Sequence, residues 1–503
     1  MTVALRTVPL VGGPVELRGA LDLETTQAGV MPRRLPAWTK AQYQDPSVYG
    51  VTVMPSGVRL VFRTDARALE FEVLTFTGQL ACDPHPRPTG MLELLVDGAL
   101  AGRQQAPVGN VLRMAGPGSV QELVPGGPAT VRFAGLPAGM KNVELWLPQQ
   151  TPTELVALRA DGDVLASLPD GRRRWVHHGS SISHCIEADG PTGTWPVVAA
   201  ALGGVEVINL SQAGNALLDP YVARTIRDTP ADLISLKVGI NIVSLSAFRL
   251  RTFGPAVHGF LDTIRDGHPD TPLLLISPVS CPALEETPGP TATGPDGRLV
   301  ALGDRADVAA GALSLAVVRA ELARIAAARQ ATDPHLHHLD GRELLGPEEA
   351  DDLPRRPSPH RRRIPANGQA LRGPRLRGRR SLALSQSGST PRTEGGPSAT
   401  GASADSAGRG ARERPTFPGS GGLREVVRTG RRPFGPAGTA GTAGTAGTAG
   451  TAGRLACEAA GHERDRRPRD QGLTVLTWTN SGTPERLWAA GGVSHDARDT
   501  APS

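Results

Sequence analysis

The chain has 503 residues with 54 Lys and Arg against 49 Asp and Glu, yet its +5 charge is unevenly placed. Residues 355–503 carry 25 Arg, no Lys and 11 acidic groups, a net of +14, which leaves 29 basic and 38 acidic groups and a net of −9 upstream. Four widely spaced cysteines (Cys82, Cys185, Cys281, Cys457) exclude a CxxC zinc or redox motif, no run approaches the ~18 apolar residues that span a bilayer, and the N-terminus lacks a signal-peptide core, so a reduced, cytoplasmic, membrane-free protein is expected.

From residue 1 to 168 short runs alternate apolar and polar positions between Gly and Pro breaks. "GVRLVFRT" (57–64), "ALEFEVLTF" (68–76), "MLELLVDG" (91–98), "ATVRFAG" (129–135) and "KNVELWLP" (141–148) each bury one face of a strand. With no long helical periodicity, the segment predicts an antiparallel, jelly-roll-like β-sandwich. From 172 to 354 apolar strands alternate with amphipathic helices. The strands are "RWVHHG", "VEVINLS", "LISLKVGI", "PLLLISPV" and "HLHHLDG"; the helices are "WPVVAAALG", "YVARTIRD", "AVHGFLDTIRD" and "DVAAGALSLAVVRAELARIAAARQ". That rhythm predicts a parallel sheet covered on both faces, a flavodoxin-like three-layer α/β/α domain. Beyond Pro354 the chain is rich in Arg, Gly, Pro and Ser and includes "PAGTAGTAGTAGTAGTAG" (436–453), which has nothing large to bury against the entropy of ordering. Residues 355–503 are therefore expected to be disordered, with "GLTVLTWTN" (472–480) a strand-like stretch without a partner.

Three turns at the carboxyl ends of consecutive strands carry polar residues. "RWVHHGSSISHC" (174–185) places Gly179, Ser180 and Ser181 between a strand and a helix, "VINLSQAGNALLDP" follows the second strand with Gly214, and "SLKVGINIV" follows the third with Asn241. A serine in such a strand-to-helix turn exposes its hydroxyl at the sheet edge beside a backbone N–H, as nucleophilic acyl transfer needs. Alone, Gly179–Ser181 reads more readily as a capped turn, and Gly214 reads as a tight turn and Asn241 as a helix cap or turn former; together they mark one crevice.

The set resembles the SGNH, or GDSL-type, hydrolase superfamily, in particular members with an N-terminal β-sandwich, over about residues 10–354. The resemblance implies Ser181 as nucleophile, Gly214 and Asn241 with the Ser181 amide as oxyanion hole, no metal and no cofactor, and a small-molecule or carbohydrate ester as substrate. It also implies a late Asp-x-x-His pair supplying the base. This chain departs there: after "GRELLGPEEADDLP" it reads "RRPSPHRRRIPANGQ" (355–369). Synonymous codons for those residues, read one base later, can encode Asp-Gly-Leu-His-Pro-Thr-Ala-Ala-Gly-Tyr, the expected block and the start of a helix. One extra base near Leu353–Pro354 would make residues 355–503 out-of-frame translation.

Other histidines have plainer readings. His177 and His178 point to alternate faces of a strand, His184 lies one turn past Ser181 as a support, and His335, His337 and His338 belong to the last strand and its lead-in. His360 is near the missing block, but Asp352 is eight residues away. The readings are therefore a serine esterase or acyltransferase impaired by loss of its base, or a catalytically inactive binding protein. The Arg-rich tail has few interleaved aromatics, and no specific nucleic-acid partner is expected.

Overall fold

The computed structural model describes residues 4–348, apart from residues 44, 82, 117–118 and 295–297, together with two strands at Leu473–Trp478 and Pro484–Ala489. The expected disorder of 355–503 and the reading of His360 lie outside the described residues, save for those strands. There the expectation is corrected: Leu473–Trp478 has a partner, pairing antiparallel with Pro484–Ala489.

The N-terminal region forms an eight-stranded and a six-stranded sheet. Alternation decides which side chains meet between them. Leu60, Phe62, Leu92, Leu94 and Leu145 of the smaller sheet share one buried cluster with Leu69, Phe71, Val73 and Leu158 of the larger. The pairing is not wholly antiparallel as expected, because Ala68–Leu80 runs parallel to Asn110–Gly116. The sequence also contains a helix that periodicity did not mark, Pro46–Thr52. It is started by Pro46, which needs no N–H partner, and by the Asp45 carboxylate, which accepts from the Ser47 N–H at 2.8 Å.

Five parallel strands follow: Arg173–His178, Val205–Asn209, Leu233–Lys237, Leu273–Ile276 and Leu336–Leu339. They are ordered second, first, third, fourth, fifth, so the chain's progress across the sheet reverses at the first strand, the kind of switch point beside which open α/β sheets hold their ligands. Successive side chains serve opposite faces. Val176, Ile234, Leu236, Leu273 and Leu275 pack with Val222, Phe253, Phe260 and Leu322 of the helices Pro220–Asp228, Leu250–Arg265 and Leu315–Arg329. Trp175, Val207 and Leu233 pack with Val197 and Ala200 of the helix Trp195–Gly203 and with Trp146 from the smaller N-terminal sheet. Leu35 and Val48 also join the first of these clusters, so N-terminal residues help to build the α/β core.

Two helices differ from expectation. The helix read from Ala256 begins at Leu250 and carries Pro255 in its body. The long helix read from Asp307 begins only at Leu315: Gly311 takes φ +90°, and the Ser314 hydroxyl accepts from the Val317 N–H at 3.4 Å, a cap that starts the helix afresh.

Candidate active site

The first turn distinguishes its three serines by burial. A Cβ on Gly179 would lie 2.5 Å from Ser183 Oγ and 2.9 Å from Ser183 Cβ, so only glycine lets the chain double back this tightly. Ser180 is buried, and its hydroxyl caps the following turn by accepting from the Ile182 N–H at 3.4 Å. Ser183 is buried beneath the turn. Ser181 opens the four-residue helix Ser181–His184 and is exposed, which makes it the serine of this turn whose side chain meets solvent.

Hydrogen bonds tie the three turns to one another. The Gln212 N–H donates to Gly179 O at 2.8 Å, joining the turn of Ser181 to the loop of Gly214, which holds φ +73°. The Ala216 N–H donates to Asn241 Oδ1 at 3.2 Å, joining that loop to the third. A backbone N–H can only donate, so this contact fixes which end of the carboxamide is oxygen and leaves the Asn241 Nδ2 amide as a donor. Among the described residues the N–H groups of Ser181 and Gly214 and the Asn241 Nδ2 meet no acceptor. Gly239, at φ +123°, is a feature sequence reading passed over: a Cβ there would lie 2.6 Å from Pro278 and 2.7 Å from Val318, so glycine brings the third loop in close.

Among the described residues no histidine is hydrogen-bonded to Ser181. Arg34 Nη2 donates to His184 Nδ1 at 3.2 Å, so the ring proton sits on Nε2, which donates to Gln149 O at 2.8 Å. Burial, and then the Arg34 cation, push the His184 pKa down to about 3. His178 donates from Nδ1 to Leu210 O at 3.0 Å and lies against Phe260, with burial lowering its pKa to about 4. His177, on the opposite face, bonds Ser235 Oγ through Nδ1 at 2.7 Å and sits against Trp195; burial holds its pKa well below the usual range. All three are neutral structural imidazoles.

Lys237, which ends the third strand beside Gly179, is 3 % exposed, and burial lowers its pKa to about 8. The neighbouring Cys185 thiol donates to Ile182 O at 3.1 Å and is pushed up to about 11 by burial, opposite to the shift of a reactive thiolate. Nothing in the local sequence flags Lys237 as buried. Among the described residues no group of three His, Cys, Asp or Glu side chains is gathered as a metal would require, and no helix is long and apolar enough to cross a membrane.

Residues 15–155 match the family described as SsfX3, N-terminal domain. No curated protein matches the chain by sequence. A structure titled as a putative GDSL-like lipase from Bacteroides ovatus is similar at 16 % identity and TM-score 0.49, covering 69 % of this chain and 90 % of that one. A family two carbohydrate esterase from Cellvibrio japonicus is similar at 13 % identity and TM-score 0.41, covering 67 % and 88 %. The salicylyl-acyltransferase SsfX3 of a tetracycline biosynthetic pathway is similar at 30 % identity and TM-score 0.58, covering 69 % of this chain and 88 % of that one. At that identity and coverage, this chain belongs to the family of the acyltransferase SsfX3.

Proposed function

We propose that this protein is an SGNH-type serine acyl-transfer enzyme in which Ser181 is the nucleophile and the N–H groups of Ser181, Gly214 and Asn241 Nδ2 form the oxyanion hole. In this reading a three-layer α/β/α domain (172–354) follows a β-sandwich domain (1–168). Ser181 Oγ adds to an ester carbonyl carbon as its proton leaves to a base, and the tetrahedral oxyanion is held by the three donors. The alkoxide then departs as an alcohol, and the acyl-serine passes its acyl group to water or to an acceptor hydroxyl. Membership of the SsfX3 family favours transfer of an acyl group from or to a small molecule over attack on a polymer. The observation that carries the reading is the Ala216 N–H···Asn241 Oδ1 bond of 3.2 Å, which identifies Asn241 Nδ2 as a donor that, like the Ser181 and Gly214 N–H groups, meets no acceptor among the described residues.

The base is the missing part. We read residues 355–503 as out-of-frame translation, with the Asp-x-x-His block displaced by one added base. Without its base, such a centre retains only the contribution of binding and the oxyanion hole, roughly 10³–10⁴-fold over water. A second reading, a binding protein with a silent centre, is favoured by one observation: His177, His178 and His184 are buried, and each bonds a group other than Ser181. Hydrolysis of p-nitrophenyl acetate by this chain, its Ser181→Ala form and a frame-restored version separates the two. Activity in the restored chain that disappears with Ser181→Ala supports the serine mechanism; inactivity of the restored chain supports the binding protein. The gene sequence across codons 340–380 tests the frame itself, and codons that forbid Asp-Gly-Leu-His-Pro would refute it.

A further inference from the structure

We propose that Arg34 is a positioning residue for the Ser181 turn. The inference rests on the role given to Ser181 above. Arg34 follows the strand Val30–Arg33 and is 0 % exposed. A guanidinium has five N–H donors in a rigid plane, and here every one has an acceptor. Nε donates to Met54 O at 2.7 Å; Nη1 donates to Asn209 O at 2.9 Å and Ser211 O at 2.6 Å; Nη2 donates to Val51 O at 2.6 Å and His184 Nδ1 at 3.2 Å.

Among the described residues no carboxylate pairs with Arg34, so it is not one half of a buried ion pair. An arginine buried without a counter-ion is costly, and its retention here is accounted for by the acceptors it unites. They come from three segments: the helix end and turn at Val51 and Met54, the loop that leads from Asn209 through Ser211 to Gly214, and the last residue of the Ser181 helix.

A helix of four residues has almost no stability of its own, so the direction in which Ser181 points is set by what holds its far end. His184 is held there at both ring nitrogens, by Arg34 and by Gln149 O, and its backbone carbonyl accepts from Ser56 Oγ at 2.9 Å. Asn209 Nδ2 donates to both Ser56 Oγ and Ser183 O at 3.0 Å. Gly57, at φ +82°, completes the joint by letting that backbone pass Asn209, whose Cβ lies 3.2 Å from where a Gly57 Cβ would be. Arg34 and Ser56 thus fix the nucleophile turn and the oxyanion loop to one frame.

The test compares Arg34→Met and Arg34→Lys with the full-length parent in two ways. Hydrogen exchange is followed at residues 180–185 and 209–216, with the helices Leu250–Arg265 and Leu315–Arg329 as internal references, and Ser181 is labelled by a fluorophosphonate. The expected result is exchange at least tenfold faster in the two segments with the reference helices unchanged, and labelling slowed by a similar factor. Lysine should not rescue, because one ammonium cannot reach all three segments. Unchanged exchange, uniform loosening of the whole protein, or faster local exchange with parental labelling would each overturn the proposal. If the parent, which lacks its base, is not labelled at Ser181, labelling is compared in frame-restored chains instead; absence of label there too fails the serine reading, and local exchange alone then decides whether Arg34 orders the turn. Should both Arg34 variants fail to fold, Ser56→Ala removes two bonds at the same joint; it is expected to loosen the same two segments, and parental exchange there would overturn the proposal.

Discussion

Lowering the pH from 7 to 5 should destabilise this protein steeply, through histidines that take no part in the proposed chemistry. His184 and His178 are fully buried and neutral, with pKa values held down to about 3 and about 4, while in the unfolded chain both return to about 6.5. The unfolded state therefore takes up protons below about pH 6.5 that the folded state refuses. The stabilisation is complete above that pH and is lost as pH falls toward the folded values. At about 1.4 kcal/mol per proton per pH unit, each histidine removes about 2 kcal/mol between pH 7 and 5. Together these two lose about 4 kcal/mol, and His177, whose pKa is also lowered by burial, acts in the same direction. A typical domain has only about 5–15 kcal/mol to lose. Urea unfolding at pH 7, 6 and 5 measures this, and His184→Gln should reduce the pH slope by about one proton. A stability that changes by less than about 1 kcal/mol over this range would refute the reasoning, since it would mean that these rings are solvated or charged in the folded protein.

Other expectations concern the turns. Gly179→Ala forces a methyl against Ser183 Oγ and Cβ and should lower stability by about 1–3 kcal/mol, visible as a reduced urea midpoint; an unchanged midpoint would show that the turn can open. Gly239→Ala must place a side chain at φ +123° against Pro278 and Val318 and should cost more than Gly214→Ala, whose added Cβ meets nothing within 4 Å but must hold φ +73°. In a frame-restored enzyme, Asn241→Ala should reduce kcat by about 10²–10³-fold with little change in KM, measured by steady-state ester hydrolysis; a pure KM effect would remove Asn241 from the oxyanion hole.

The parts of this fold that could be read from sequence are those where side-chain periodicity and burial coincide. Trp175, Val176, His177 and His178 alternate between the two faces of one strand, which is why sequence alone separates the two histidines. Strands without that alternation were missed: Ala99–Gln105 is an exposed partner of Met91–Val96 and has no apolar face to betray it. The break at Gly311–Ser314 was hidden because alanine-rich sequence keeps helical periodicity through a turn.

At the site, Gly179, Ser181, Gly214 and Asn241 stand out because each ends a strand in a short polar turn. Arg34 could not be found this way, since its partners at Asn209, Ser211 and His184 lie 150 to 177 residues along the chain. Lys237 was equally silent, because a lysine closing an apolar strand ordinarily reads as an exposed rim residue rather than a buried amine.

The central claim is that Ser181 is the nucleophile served by donors on the two neighbouring loops. The most direct measurement is peptide mapping after reaction of the frame-restored chain with a fluorophosphonate, alongside its Ser181→Ala and Asn241→Ala forms. The account predicts one adduct, on the peptide holding Ser181, absent in the first variant and formed more slowly in the second. An adduct on Ser180 or Ser183, or none at all in a folded restored chain, would contradict it.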